Sequence, residues 1–182
     1  MRSYIFDRLS FFSLFLVIIL LPVFFLPFTN IPVETSKGLL LVLGVSLSLI
    51  FWGFGRFFDG KIVIPKSYLL LGGLGIVVAS FLSAAFAKAP EVSFFGAMLD
   101  IGTFWFMLAG FLLMIMSAIT LREPGNARIA LLGGILSSTI VLVFQSLRFF
   151  FPAALSLGVL SDKTQNLVGS WNAFGIFAGF SV

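Results

Sequence analysis

Arg148 and Gln145 stand three residues apart near the end of a long apolar run, and Asp100 stands alone inside another. A guanidinium stays charged and offers a planar fork of donors, the geometry that recognises phosphate and carboxylate. At 100° per residue, Gly134, Ser138, Val141, Gln145 and Arg148 share one helix direction to within about 40°. Small and hydroxyl residues thus lead along a stripe to an amide and then to a cation. One use of that stripe is to hold an anionic headgroup at the outer membrane surface, with Lys37 adding positive potential to the same place. The alternative is structural: Arg148 snorkels to the interface, four residues before Pro152, and Lys37 is an interfacial anchor.

Asp100 invites a partner. An isolated carboxylate within an apolar span is expensive and normally faces another charge in the bundle. Arg148, Lys37 and Lys88 are the cations on its side, and an ion pair between Asp100 and Arg148 is the expected arrangement. A part in moving substrate or protons is the other reading.

Much chemistry is excluded outright. The chain has no Cys and no His, so it lacks thiolate ligands, disulfides and the commonest general base. Of its seven carboxylates, six fall at the N-terminus or between apolar runs. No metal site and no cofactor is expected from this chain. A Gly-rich phosphate loop and a basic tract are both missing from the sequence, which gives no footing for a nucleotide or nucleic-acid function.

The elements that must position these residues are membrane helices. Sixty per cent of the residues are hydrophobic and only 10% are charged, against roughly 25% charged in soluble domains. Several apolar runs exceed the ~18 residues needed to cross a hydrocarbon core of about 30 Å. The chain therefore reads as an all-α polytopic bundle forming one transmembrane domain over residues 1–182. Five full spans are expected at about 10–28, 38–55, 67–87, 94–119 and 128–151, with a sixth beginning at 171–182. The first is a retained helix, bent at Pro22 and closed near Pro27. Gly72, Gly73, Gly75, Ala79, Ser80, Ser83 and Ala84 in span three, and Gly133, Gly134, Ser137 and Ser138 in span five, are expected to let helices approach closely.

The loops alternate in charge. Arg2, Arg8, Arg56, Lys61, Lys66, Arg122 and Arg128 fall on one side, while Lys37, Lys88, Lys163 and Arg148 fall on the other. The richer side faces the cytoplasm, so the N-terminus is expected inside and Arg148 near the outer surface. From Leu167 to Val182 there are 16 residues, about 24 Å of helix, too short for the core. Ending there would leave carbonyls unsatisfied in lipid, so the chain reads as the N-terminal half of a longer protein.

Three stretches carry a family resemblance. PFTNIPVETSK (27–37) resembles a Pro-rich loop leading through Thr/Ser-Lys into a second helix. SAAFAKAPEVSFFG (83–96) is similar to a Ser, Pro-x-x-Ser-x-x-Gly join between spans three and four. GSWNAFG (169–175) resembles a helix opening with Gly and Asn after an outer loop. In this order they resemble the N-terminal half of the O-antigen ligase and polymerase family of bacterial membrane glycosyltransferases. The sequence departs from the family at Asp100, where members often carry a basic residue.

The resemblance implies a multi-pass protein of the bacterial cytoplasmic membrane. Its partner is a lipid-linked oligosaccharide donor, and the undecaprenyl-diphosphate-linked glycan passes to a saccharide acceptor at the outer face. That transfer is metal-independent. Residues with catalytic roles lie in a later outer loop, so none is expected within 1–182, and this portion alone is expected to be inactive. Arg148, with Gln145 and Lys37, is the candidate for holding the diphosphate. Two other readings stand beside this one: a transporter or flippase-like bundle, and a multi-span protein with a purely structural role.

Overall fold

The computed structural model describes residues 2–26, 32–63, 65–96, 102–151, 160 and 165–181. Seven helices and one minimal hairpin make up these residues: α1 (Arg2–Val23), α2 (Val33–Asp59), α3 (Tyr68–Ala85), α4 (Pro90–Phe95), α5 (Phe104–Thr120), α6 (Pro124–Phe150), β1 (Gln165–Asn166), β2 (Gly169–Ser170) and α7 (Trp171–Ser181). Four of the helices, α1, α2, α3 and α6, are long and apolar enough to cross a membrane, and α5 is a shorter apolar helix of 17 residues. The protein is a multi-span helical membrane protein.

Helix α1 starts well before its apolar run because its first turns have partners. Asp7 accepts from Arg56 Nη2 through both carboxylate oxygens, each at 2.6 Å, which ties the start of α1 to the end of α2. Arg8 lies over the Tyr4 ring at 4.5 Å. Pro22 falls in the last turn and the helix closes at Val23, while Pro27 lies outside the described residues. Helix α2 outruns its expected limits of 38–55 at both ends. It follows Pro32 directly and stops at Gly60, whose left-handed φ of 64° lets its N–H close on the Arg56 carbonyl at 2.8 Å.

Between those ends, α1 and α2 are joined antiparallel by hydroxyls. Ser10 Oγ donates to the Ser48 carbonyl at 2.9 Å and Ser48 Oγ returns a bond to the Ser10 carbonyl at 3.0 Å. Ser13 Oγ donates to the Gly44 carbonyl at 3.0 Å. A methyl group placed on Gly44 would sit 2.0 Å from Val17 Cγ2, so only a bare α-carbon fits there. Helix α6 packs on α1 in the same manner, with Ser137 Oγ donating to the Ile19 carbonyl at 2.6 Å and Gly133 against Phe15 and Ile19. These are the close backbone approaches that drive association when lipid offers no hydrophobic contrast.

The expected span 94–119 is corrected. Pro90 opens the short helix α4, and Gly96 ends it with φ 64° and ψ −166°, a backbone state that L side chains rarely adopt. A separate helix, α5, begins at Phe104. Phe81 of α3, Phe94 of α4 and Phe104 of α5 meet edge to face with centroids 5.4 to 5.8 Å apart, so the break is packed with rings.

The small-residue face expected on α3 is also corrected. Gly73 packs against Met114 and Phe111 of α5, but among the described residues no atom comes within 4 Å of a methyl group added at Gly72 or Gly75. Gly75 and Ala79 are exposed, and the buried positions of the helix are Val77 and Ala84.

Candidate functional site

Helix α6 delivers its polar residues to one end of the bundle. Its buried line runs Ala130, Gly133, Ser137, Val141, Gln145 and Arg148. The expected stripe is therefore right from Val141 onward and displaced by one residue before it. Gly133 and Ser137, not Gly134 and Ser138, face the neighbouring helix. Gly134 and Ser138 instead line an open groove of about 700 Å³ with Phe177 and Ser181 of α7.

Arg148 is buried within the described residues. Its residue is only 8% exposed, and Nη2 donates to the Leu160 carbonyl. Leu160 packs in turn with Val33 at the start of α2 and Leu167 in the hairpin turn, with Phe25 and Phe144 around them. The guanidinium is thus drawn inward toward the Leu160 carbonyl. Gln145 is buried one turn earlier, and its Oε1 has no hydrogen-bond partner among the described residues.

The hairpin above is built by an asparagine. Asn166 is fully buried, and its Oδ1 accepts from the N–H groups of Val168 and Gly169 at 2.8 and 3.0 Å. This is the local side-chain turn that Asn forms readily. It brings Asn166 opposite Gly169 and Gln165 opposite Ser170. Gly169 holds φ 129°, and a methyl group there would come within 3.1 Å of Glu34 Oε1, so α2 presses directly on the turn. Ser170 Oγ then accepts from Ala173 N at 3.3 Å and starts α7. Asn166 Nδ2, like Gln145 Oε1, is buried without a partner among the described residues.

Lys37 occupies the adjoining position. Its Nζ donates to the Pro22 carbonyl at 2.8 Å, satisfying a group that the end of α1 leaves open. With Glu34, Pro22, Leu41, Val168 and Phe177 it lines a pocket of about 260 Å³. Lys37, Gln145 and Arg148 therefore share one end of the bundle, but Lys37 lines a pocket that neither of the others reaches. Asp100 lies outside the described residues, and its pairing with Arg148 lies there with it.

Two members of this site, Glu34 and Asn166, were not among the expected residues. The signal for Asn166 is the spacing Asn-Leu-Val-Gly, an Asx turn followed by a residue with positive φ. Nothing in the sequence marks Glu34, whose place follows from α2 starting a turn earlier than its apolar run. No group of three or more metal-ligating side chains occurs among the described residues.

No protein-family model, no curated protein and no solved structure matches this chain. The class it belongs to is that of multi-span helical membrane proteins, defined by its four long apolar helices and the shorter α5.

Proposed function

We propose that the Arg148 end binds the diphosphate of a lipid-linked glycan donor. The chain then serves as the N-terminal membrane portion of an O-antigen ligase or polymerase-like glycosyltransferase. On this reading the Arg148 end lies at the outer face of the bacterial cytoplasmic membrane, and the N-terminus lies in the cytoplasm. The observation that carries the reading is the burial of Arg148 together with Gln145, with Arg148 bonded to the Leu160 carbonyl and Leu160 packed on Leu167 of the Asn166 turn. A cation placed only as an interfacial anchor has no need to be withdrawn from water.

A buried guanidinium favours negative charge that arrives beside it, and a diphosphate gains negative charge as it leaves the transferred sugar. Among the described residues, Gln145 Oε1 and Asn166 Nδ2 are an unfilled acceptor and an unfilled donor at the same end. A hydroxyl group of a saccharide satisfies both kinds at once.

The test uses the protein expressed from its full reading frame and reconstituted with an undecaprenyl-diphosphate-linked glycan and a saccharide acceptor. Arg148→Ala is expected to lower transfer about a hundredfold, the scale of losing one charge-stabilising donor. Arg148→Lys is expected to recover only part of it, because an ammonium lacks the fork. Full transfer by a folded Arg148→Ala protein overturns the assignment. Lost thermal stability with transfer intact makes Arg148 a clamp on the segment around Leu160.

A further inference from the structure

At the opposite end of the bundle, the ends of α1, α2, α5 and α6 enclose a pocket of about 380 Å³ that the proposed reaction does not use. Among its lining residues are Asp7, Trp52, Arg56, Arg122, Glu123 and Asn126. We propose that this pocket holds the zwitterionic headgroup of an ethanolamine phospholipid from the adjacent leaflet.

The charges are balanced but separated. Asp7 is committed to Arg56, and Arg56 Nε remains buried with no hydrogen-bond partner among the described residues. Arg122 makes no ion pair among the described residues. It stands two residues before Pro124, the first residue of α6, where the helix dipole and the open N–H groups of the first turn add positive potential. This is the pole for phosphate. Glu123 is the other pole. Its carboxylate's only bond among the described residues is a 3.3 Å contact from Asn126 Nδ2 to Oε2, while that same Nδ2 also bonds the Thr120 carbonyl at 3.1 Å. A primary ammonium donates hydrogen bonds to a carboxylate, whereas a trimethylated one has none to give. Trp52 supplies an aromatic face, the best partner among ring systems for a cation. A ligand with one phosphate and one ammonium leaves the pocket neutral, as a singly charged anion does not.

The bilayer source follows from position. The pocket lies where α2 and α5 end and α1 and α6 begin; α1, α2 and α6 are long enough to span a membrane, so it falls at headgroup level. Phe11 and Ile119 line its apolar side, where acyl chains begin.

The experiment places the full chain in bilayer discs of phosphatidylethanolamine, phosphatidylcholine and phosphatidylglycerol in equal parts, then identifies co-purifying lipid by native mass spectrometry. Phosphatidylethanolamine is expected to be enriched about tenfold over phosphatidylcholine, the scale of one charge-assisted hydrogen bond. Arg122→Gln is expected to reduce all retained phospholipid about tenfold. Glu123→Gln is expected to keep phospholipid but erase the preference for ethanolamine. Arg128→Gln, exposed on α6 and outside the pocket, serves as the control and is expected to retain the parental pattern. Absence of enrichment, or the same enrichment in Arg122→Gln and Glu123→Gln as in the parent, overturns the proposal. Glycerophosphoethanolamine tests the source: tight binding of this soluble headgroup without lipid enrichment also overturns it.

Discussion

The seam between α1 and α2 and the seam between α3 and α5 solve the same problem with different chemistry. The first adds hydroxyls, a glycine and an ion pair to the ring packing of Phe6 on Phe54 and Phe58, with Ser10, Ser13, Gly44, Ser48, Asp7 and Arg56 all engaged across it. The second is made of rings and a thioether, with Gly73 against Met114 and Phe111, and Phe81 against Phe104. Lipid tails resemble leucine, so apolar side chains alone distinguish a helix from its solvent only weakly. A hydrogen bond across the seam does distinguish them, because a tail cannot supply it. The α1–α2 pair is accordingly the more specified unit, and α3 stands at the periphery with Tyr68 96% exposed.

The most severe way to break this contrast is Gly44→Ala. The new methyl group meets a branched valine at 2.0 Å, so the helices must separate, at a cost of about 1–3 kcal/mol. Equilibrium unfolding in mixed micelles is expected to show that loss, and Val17→Ala in the same chain is expected to return part of it. Ser48→Ala is smaller: it removes two bonds with Ser10 at an expected ~0.6 to 1.7 kcal/mol, the range for hydroxyl bonds between membrane helices. Gly75→Ala is the smallest and sharpens the comparison from the other side. Nothing lies within 4 Å of the added methyl group, so stability is expected to hold or rise by about 0.5–1 kcal/mol through helix propensity. A loss at Gly75 comparable to that at Gly44 would remove the distinction between the two seams.

How much of this was legible depended on the range of the interaction. Hydropathy identified the long apolar helices, because crossing length is a property of contiguous residues. Local turn chemistry at Gly96 was visible in principle, yet a long apolar run masked it, and the span 94–119 divided into α4 and α5. The face of α6 was legible at Gln145 and Arg148 but slipped by one residue at Gly133 and Ser137. Adjacent residues of like size differ by only 100°, and which of them faces inward is decided by α1. The Asp7–Arg56 pair joins positions 49 apart, and no periodicity within either helix announces it. At the candidate site, the stripe exposed the cation and amide of α6. Glu34 and Asn166 entered only through the packing of α2 on the turn.

The fastening of α1 to α2 has a consequence for biosynthesis. Asp7 meets Arg56, Ser10 and Ser13 meet Ser48 and Gly44, and Lys37 caps Pro22, all within the first 59 residues. As the chain leaves the ribosome, this hairpin can satisfy those groups before α3 has been synthesised. Two helices then enter the bilayer as one pre-paired unit, and α6 later docks on a surface that is already set, through Ser137 and Ile19.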